Sequence, residues 1–360
     1  MKRATTIGIA VFFTVAVSFL VACQRNAAPE LSIVFVGDTG LGDYPSKELA
    51  ARHGYDYSFR HMRKTARRGD FLVGNLETPI ATPDTPHIQF DKPIFVPRHE
   101  PEAAGALARE GFAALGLANN HMMDYGVSGL RQTLSYLRKA GVRSFGAGED
   151  ENAARAPLVL EKNGIRVAVL AYFQHHPAYR KRGEGGWFAA AAKPGVAALT
   201  EVNLREDIAA AKQRADFVTV LLHYRINYRP VQGVQRRFAR RAVEAGVDLV
   251  IGHGPHIAQR FTTINGKPVL HSIGNYVWQN AGRYEKFDMD RRAYSLVTEA
   301  TFTSAKLARL EITPFYSNHA VTKFVPQPAT RAQARALFKD ILSRLKSTWR
   351  WAGTTVVVDF

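Results

Sequence analysis

Asp38, Glu77, Asn120, His121, His223, His253 and His256 are residue types that hold divalent metals, and each follows closely on a short apolar run. The runs are 33–36, 71–73, 113–117, 218–222 and 249–251. Apolar segments this short, bounded by polar residues, read as buried strands. In open α/β sheets, ligands bind beyond the carboxyl ends of the strands. Strands that deliver carboxylate, amide and imidazole groups to one edge would offer mixed oxygen and nitrogen donors, which suit one or two ions of Mn, Fe or Zn.

Stepping outward, the elements that must position these groups alternate along the chain. Helices are expected at 47–67, 101–109, 127–140, 204–214 and 234–245, interleaved with the strands and with a further strand at 142–145. In the 127–140 segment, Leu130, Leu134 and Leu137 recur at helical spacing, which marks a core-facing stripe. The runs 158–160 and 166–172 flank Asn163-Gly164, a hairpin turn signal. Residues 174–200 carry His175, His176, Arg180, Lys181 and Arg182 among glycines and prolines and read as a basic loop. Three apolar runs at 268–273, 295–303 and 307–312 read as antiparallel strands, and 331–345 as an amphipathic helix. No internal repeat or domain linker is visible.

The composition, 46% hydrophobic over 360 residues, excludes a disordered chain and allows a large core. Lys2 and Arg3 precede the apolar stretch 4–22, the pattern of an export signal. The single cysteine, Cys23, closes Leu20-Val21-Ala22-Cys23, which resembles the bacterial lipoprotein box, with Gln24 following as in outer-membrane sorting. The expected organisation is a signal peptide at 1–22, a tether at 23–30, one domain at 31–325, and a helix and tail at 326–360. Lipidation of Cys23 would hold the domain on a bacterial membrane, in the cell envelope and facing the periplasm. Removing the signal lowers the formal charge only from +17 to +15. That excess predicts an anionic partner such as an envelope polymer or the membrane surface. Nucleic acid is excluded by export, and one cysteine leaves no disulfide to form within the chain.

Several motifs carry a family resemblance. They are Val36-Gly37-Asp38 with Leu41-Gly42, Gly74-Asn75-Leu76-Glu77, and Leu117-Ala118-Asn119-Asn120-His121 with Asp124-Tyr125-Gly126. Further on lie Gly146-Ala147-Gly148, Leu222-His223-Tyr224, Gly252-His253-Gly254-Pro255-His256 and Ser272-Ile273-Gly274-Asn275-Tyr276. In order and spacing this set resembles the CapA, or poly-γ-glutamate capsule synthesis, family, a branch of the calcineurin-like metallophosphoesterases.

The resemblance implies an α/β fold, a four-layer α/β/β/α metallophosphoesterase-like sandwich with its site at the strand ends. It also implies metal ligation by Asp38, Glu77, Asn120, His223, His253 and His256, with His121 beside Asn120 acting as acid or electrostatic stabiliser. Asn75, Asn119 and Arg225 are the expected substrate contacts. The implied activity is a metal-dependent hydrolase or transferase acting on an anionic envelope polymer, with membrane-bound polymer synthases as partners. The alternative is a non-catalytic surface protein that tethers such a polymer during export. Departures from the wider pattern give that alternative substance. Asn75 replaces a bridging Asp, two residues instead of one separate His253 from His256, and Tyr224, Arg225 and Asn227 replace a Trp-Gly…Glu segment.

Overall fold

The computed structural model describes residues 28–40, 46–88, 98–176, 186–278 and 293–360. Cys23, the signal segment and Leu41-Gly42 lie outside the described residues, as does the middle of the basic loop.

The strands assemble into two large sheets. One runs in the order Trp349–Ala352, Thr355–Asp359, Leu307–Tyr316, Tyr294–Thr303, Glu30–Gly40, Phe71–Leu76, Phe112–Gly116, Arg143–Phe145. From Glu30–Gly40 to Arg143–Phe145 the pairing is parallel, with helices Ala103–Glu110 and Gly126–Lys139 making later crossovers. The other half is antiparallel. The second sheet runs Phe261–Ile264, Lys267–Leu270, Leu249–His253, Phe217–His223, Ile165–Gln174, Leu158–Lys162. Its parallel centre is linked by helices Glu201–Ala211 and Gly233–Glu244 and closed at each edge by a hairpin.

Side-chain alternation explains the layering. In Phe217–His223, Val218, Val220 and Leu222 join Leu204, Ile208, Phe238 and Ala242 in a cluster beneath the two helices. Phe217 and Leu221 point the other way, into a larger cluster with Val297 and Phe302 of the first sheet. The Phe217 and Phe302 rings meet across the sheets with centroids 5.2 Å apart. A strand buried on both faces reads as a near-continuous apolar run, and 217–222 is apolar except for the buried Thr219. The result is the expected α/β/β/α sandwich.

Local chemistry accounts for the element ends. Asn163 (φ 53°) and Gly164 (φ 76°) both take positive φ between paired Lys162 and Ile165, the geometry of a two-residue hairpin turn. The expected 47–67 helix is broken into Ser46–His53, a 3-10 turn Tyr55–Phe59 and Arg63–Ala66, because Gly54 sits at φ 76°. The C-terminal segment differs from the expected tail. Helix Arg331–Ile341 opens on a reciprocal capping box between Thr330 and Gln333. It is followed by a hairpin, turned at Gly353 (φ 68°), that adds two strands to the first sheet. Val356 and Val358 face the core there.

Two histidines outside the ligand set are buried within the fold. Burial depresses both His99 and His319 to about 3. His319 Nε2 accepts from the Trp278 amide at 3.3 Å, and the ring stacks on Phe324. A depressed imidazole contributes stability that is complete above the unfolded value, near 6.5, and is lost as pH falls towards the folded value. At pH 5 the loss should be roughly 2 kcal/mol for each histidine. Urea unfolding of wild type and His319→Gln at pH 7.5 and pH 5 should show a smaller pH penalty in the variant.

Candidate metal centre

The Glu30–Gly40 strand changes partners along its length. Up to Phe35 it pairs antiparallel with Tyr294–Thr303; from Asp38 it pairs in parallel with Asn275–Trp278. A register shift between Phe35 and Asp38 on the other side accompanies the change. Asp38 consequently stands level with Asn75 on one flank and Asn275 on the other. Gly37 makes this possible, since a Cβ there would sit 1.9 Å from the Gly274 carbonyl oxygen.

The second sheet supplies the imidazoles. His223 and His253 are direct neighbours in register, each ending its strand. Period-two alternation from Phe217, Thr219 and Leu221 leads to His223, and from Leu249 and Ile251 to His253, so both rings enter the gap between sheets. The following turn is held by close backbone contact: Gly254 takes φ 97°, and a Cβ there would fall 2.0 Å from the Tyr224 oxygen. His256 itself adopts φ 60°.

These elements converge on Asp38, which is fully buried. Its Oδ1 accepts from Asn75 Nδ2 at 2.8 Å and contacts His253 Nδ1 at 3.1 Å. Its Oδ2 accepts from the Gly254 amide at 3.2 Å and lies 3.2 Å from His256 Nδ1. His256 Nδ1 is also 2.8 Å from Asn275 Oδ1. His223 Nε2 is 2.7 Å from Asn120 Oδ1 and 3.6 Å from Glu77 Oε1. Asp38, Glu77 and His223 each offer a ligand atom, all within 4.8 Å of one another.

Glu77 is the exception in this saturated network. Both of its carboxylate oxygens are buried and have no hydrogen-bond partner, and His253 Nε2 is in the same condition. A buried carboxylate without a donor costs several kcal/mol. Burial, followed by the charges of Asp38 and Asp124, pushes the Glu77 carboxyl well above its usual range. At Asp38 burial acts in the same sense, but hydrogen bonds from His253 and His256, with the charges of His253 and His223, outweigh it and hold the group well below. Burial depresses His223 to about 3, so it is neutral and retains a lone pair. A cation would resolve what the protein leaves unresolved, by giving Glu77 and His253 Nε2 a positive partner. Two carboxylates and imidazole nitrogens fit a borderline divalent ion.

Asn120 and His121 occupy a turn built by Asn119. Asn119 Oδ1 accepts from the His121 and Met122 amides, while its Nδ2 donates to Asn75 Oδ1 and to the Leu76 carbonyl. His121 Nδ1 lies 2.6 Å from Asp124 Oδ2. Trp187 Nε1 donates to the Asn120 carbonyl, and the Trp278 ring lies against both His256 and His121. Gly40 makes room for Trp278, as a Cβ there would fall 2.4 Å from its ring.

Of the expected site residues, the structure brings together Asp38, Asn75, Glu77, Asn120, His223, His253 and His256, with His121 at the rim. Asn75 and Asn119, expected against substrate, are buried and bonded to the site's own framework. Arg225 is exposed, and its backbone amide is held by Gln174 Oε1. Asn275, Asp124 and Trp278 are the additions. The first two stand inside the motifs, whereas Trp278 lies two residues beyond the last of them.

With this geometry in hand, comparison with known proteins places the chain. Residues 32–280 match the family model described as bacterial capsule synthesis protein PGA_cap. The chain belongs to this family. It is 32% identical over 255 residues to the capsule biosynthesis protein CapA of Bacillus anthracis, covering 69% of this chain but only 60% of that relative. It is 31% identical over 315 residues to the PGA biosynthesis protein CapA of Bacillus subtilis, covering 86% of this chain and 78% of the relative. Among solved structures, the NAD nucleotidase of Haemophilus influenzae aligns with a TM-score of 0.44 at 14% identity, over 86% of this chain and 62% of that one.

The Asn119 geometry predicts a structural defect. Asn119→Ala should lower stability by roughly 2–4 kcal/mol, because the substitution strands buried partners. A substrate contact alone would leave the melting temperature unchanged and raise KM; thermal unfolding beside KM separates the two.

Proposed function

We propose that this protein is a metal-dependent hydrolase or transferase of capsule or cell-envelope polymer biosynthesis, acting on an anionic polymer of the poly-γ-glutamate type. The observation that carries this reading is the buried, unpartnered Glu77 carboxylate beside Asp38 and His223. Family membership supports the process; the ligand set supports the chemistry. Asp38, Glu77, His223, His253 and His256 would hold the ion, and the Asn120 side chain orients His223.

When bound, a divalent cation supplies Lewis-acid polarisation and positive charge at the reacting bond. The chain's own residues do the rest. Asp124 fixes the Nδ1 side of His121, which leaves Nε2 to give a proton to a leaving group or take one from a nucleophile. Trp278 limits the movement of the His121 and His256 rings. Arg225, exposed two residues after His223, offers a cation to a polymer carboxylate or phosphate. In the same reading Cys23 is lipidated, the domain sits in the envelope facing the periplasm, and membrane-bound polymer synthases are its partners. The tethering alternative rests on Arg225 and Asn227, both of which are exposed and outside the ligand cluster.

Elemental analysis of the purified protein should find stoichiometric divalent metal, lost in Asp38→Ala and His223→Ala. Metal-free wild type with unaltered envelope activity in those variants would sink the enzyme reading and favour the tether. His121→Asn should keep the metal and lower kcat by about 10²–10⁴-fold.

A second expectation concerns stability. Glu77→Gln should leave the melting temperature of chelated protein unchanged or higher, because the amide removes a buried charge. Metal at a thousandfold excess over Kd should stabilise wild type by about 4 kcal/mol and the variant far less.

A further inference from the structure

At the antiparallel edge of the first sheet, the strand Trp349–Ala352 presents Trp349 and Trp351 at 41% and 38% exposure, while most other large apolar side chains are buried. The two indoles lie edge to face, 5.8 Å apart, and Trp351 packs against Phe338 of the Arg331–Ile341 helix. Between strand and helix is a groove of about 510 Å³ lined by Arg335, Phe338, Lys339, Leu342, Trp349 and Trp351. From Arg331 to Lys346 the sequence holds Arg331, Arg335, Lys339, Arg344 and Lys346 against the single carboxylate Asp340. All five cations are exposed, and none is paired with a carboxylate among the described residues.

Register locates this patch relative to the start of the domain. Ile33 pairs with Ala300, Ala300 with Leu310, Leu310 with Val358, and Val358 with Trp349. Trp349 is therefore level with Ile33, four strands away, or about 20 Å from Glu30 at ordinary strand spacing. Asp38 lies five residues further along, at the opposite end of the sheet. Cys23 precedes Glu30 by seven positions, a length of chain that spans up to about 25 Å.

We propose that the groove and its tryptophans are a docking surface for the anionic face of a lipid bilayer. Indoles flanked by unpaired cations suit the headgroup region, where the ring is half desolvated and the cation meets phosphate. The proposal rests on the anchored reading above, because a lipid on Cys23 would hold this end of the sheet at the membrane. Docking there fixes the domain upright, with the metal-binding end directed away from the bilayer.

The chain has four tryptophans, and the other two, Trp187 and Trp278, are buried at 0% and 4% exposure. Emission changes thus report on the patch. Full-length lipidated protein is incorporated into phosphatidylglycerol vesicles with brominated acyl chains, and flotation is measured beside tryptophan quenching. Wild type should float, with blue-shifted and quenched emission. W349F/W351F should float unquenched with its melting temperature retained, and R335E/K339E should lose most of the quenching. Flotation without quenching overturns the patch and leaves the anchor standing. No flotation in any variant overturns both. Quenching that persists in W349F/W351F overturns it too, as does a blue shift produced by soluble polyglutamate without lipid, which would make the partner an acidic polymer.

Discussion

The centre of this molecule is organised around a carboxylate that the protein itself does not satisfy. Asp38 is surrounded by donors, whereas Glu77 is equally buried and has none. Left as an anion, Glu77 would cost more than a typical single mutation costs a folded domain. The fold tolerates that position because two sheets and their helices bury large apolar clusters around it. Stability is spent where a cation would restore it, which is the usual economy of a functional site.

The two sheets depend on one another at this point. Neither alone makes a ligand cluster: Asp38 and Glu77 come from the first, His223 and His253 from the second, and Asp38 to His253 is a separation of 215 residues. Sheet packing and ligand geometry are thus the same problem. The Phe217 and Phe302 rings are one of many contacts between the layers, and His223 sits on the same face of the strand as Phe217. A cavity made beneath it would move an imidazole as well as cost packing energy.

Much of this was legible from local pattern. Strand ends rich in ligand-type residues located Asp38, Glu77, Asn120 and the histidines, because a period of two puts alternate residues on one face and the apolar run shows where the strand stops. What local pattern did not show was contact across the chain. Asn119 reads like a substrate amide, but its four hydrogen bonds to residues 75, 76, 121 and 122 exist only once two strands and a turn have met. Trp278 is one apolar residue at a strand end until Gly40 leaves room for it. The C-terminal hairpin stands where the sequence predicts only a tail: Trp349–Ala352 is four residues long, and its place follows from pairing with Thr355–Asp359, which in turn needs Leu307–Tyr316.

The spacing of His253 and His256 illustrates how backbone conformation can absorb a change in motif. With two intervening residues, an extended chain would carry the second imidazole away from the site. Here Gly254 at φ 97° reverses the chain against the Tyr224 carbonyl, Pro255 accepts from the Tyr228 amide, and His256 takes φ 60°. A left-handed histidine is strained by about 1–3 kcal/mol. Its reward is a ring clamped between Asn275 and Asp38 and stacked on Trp278. Strain held in place by that many partners marks a position the surroundings specify, so the longer spacing delivers both imidazoles to the two oxygens of one carboxylate.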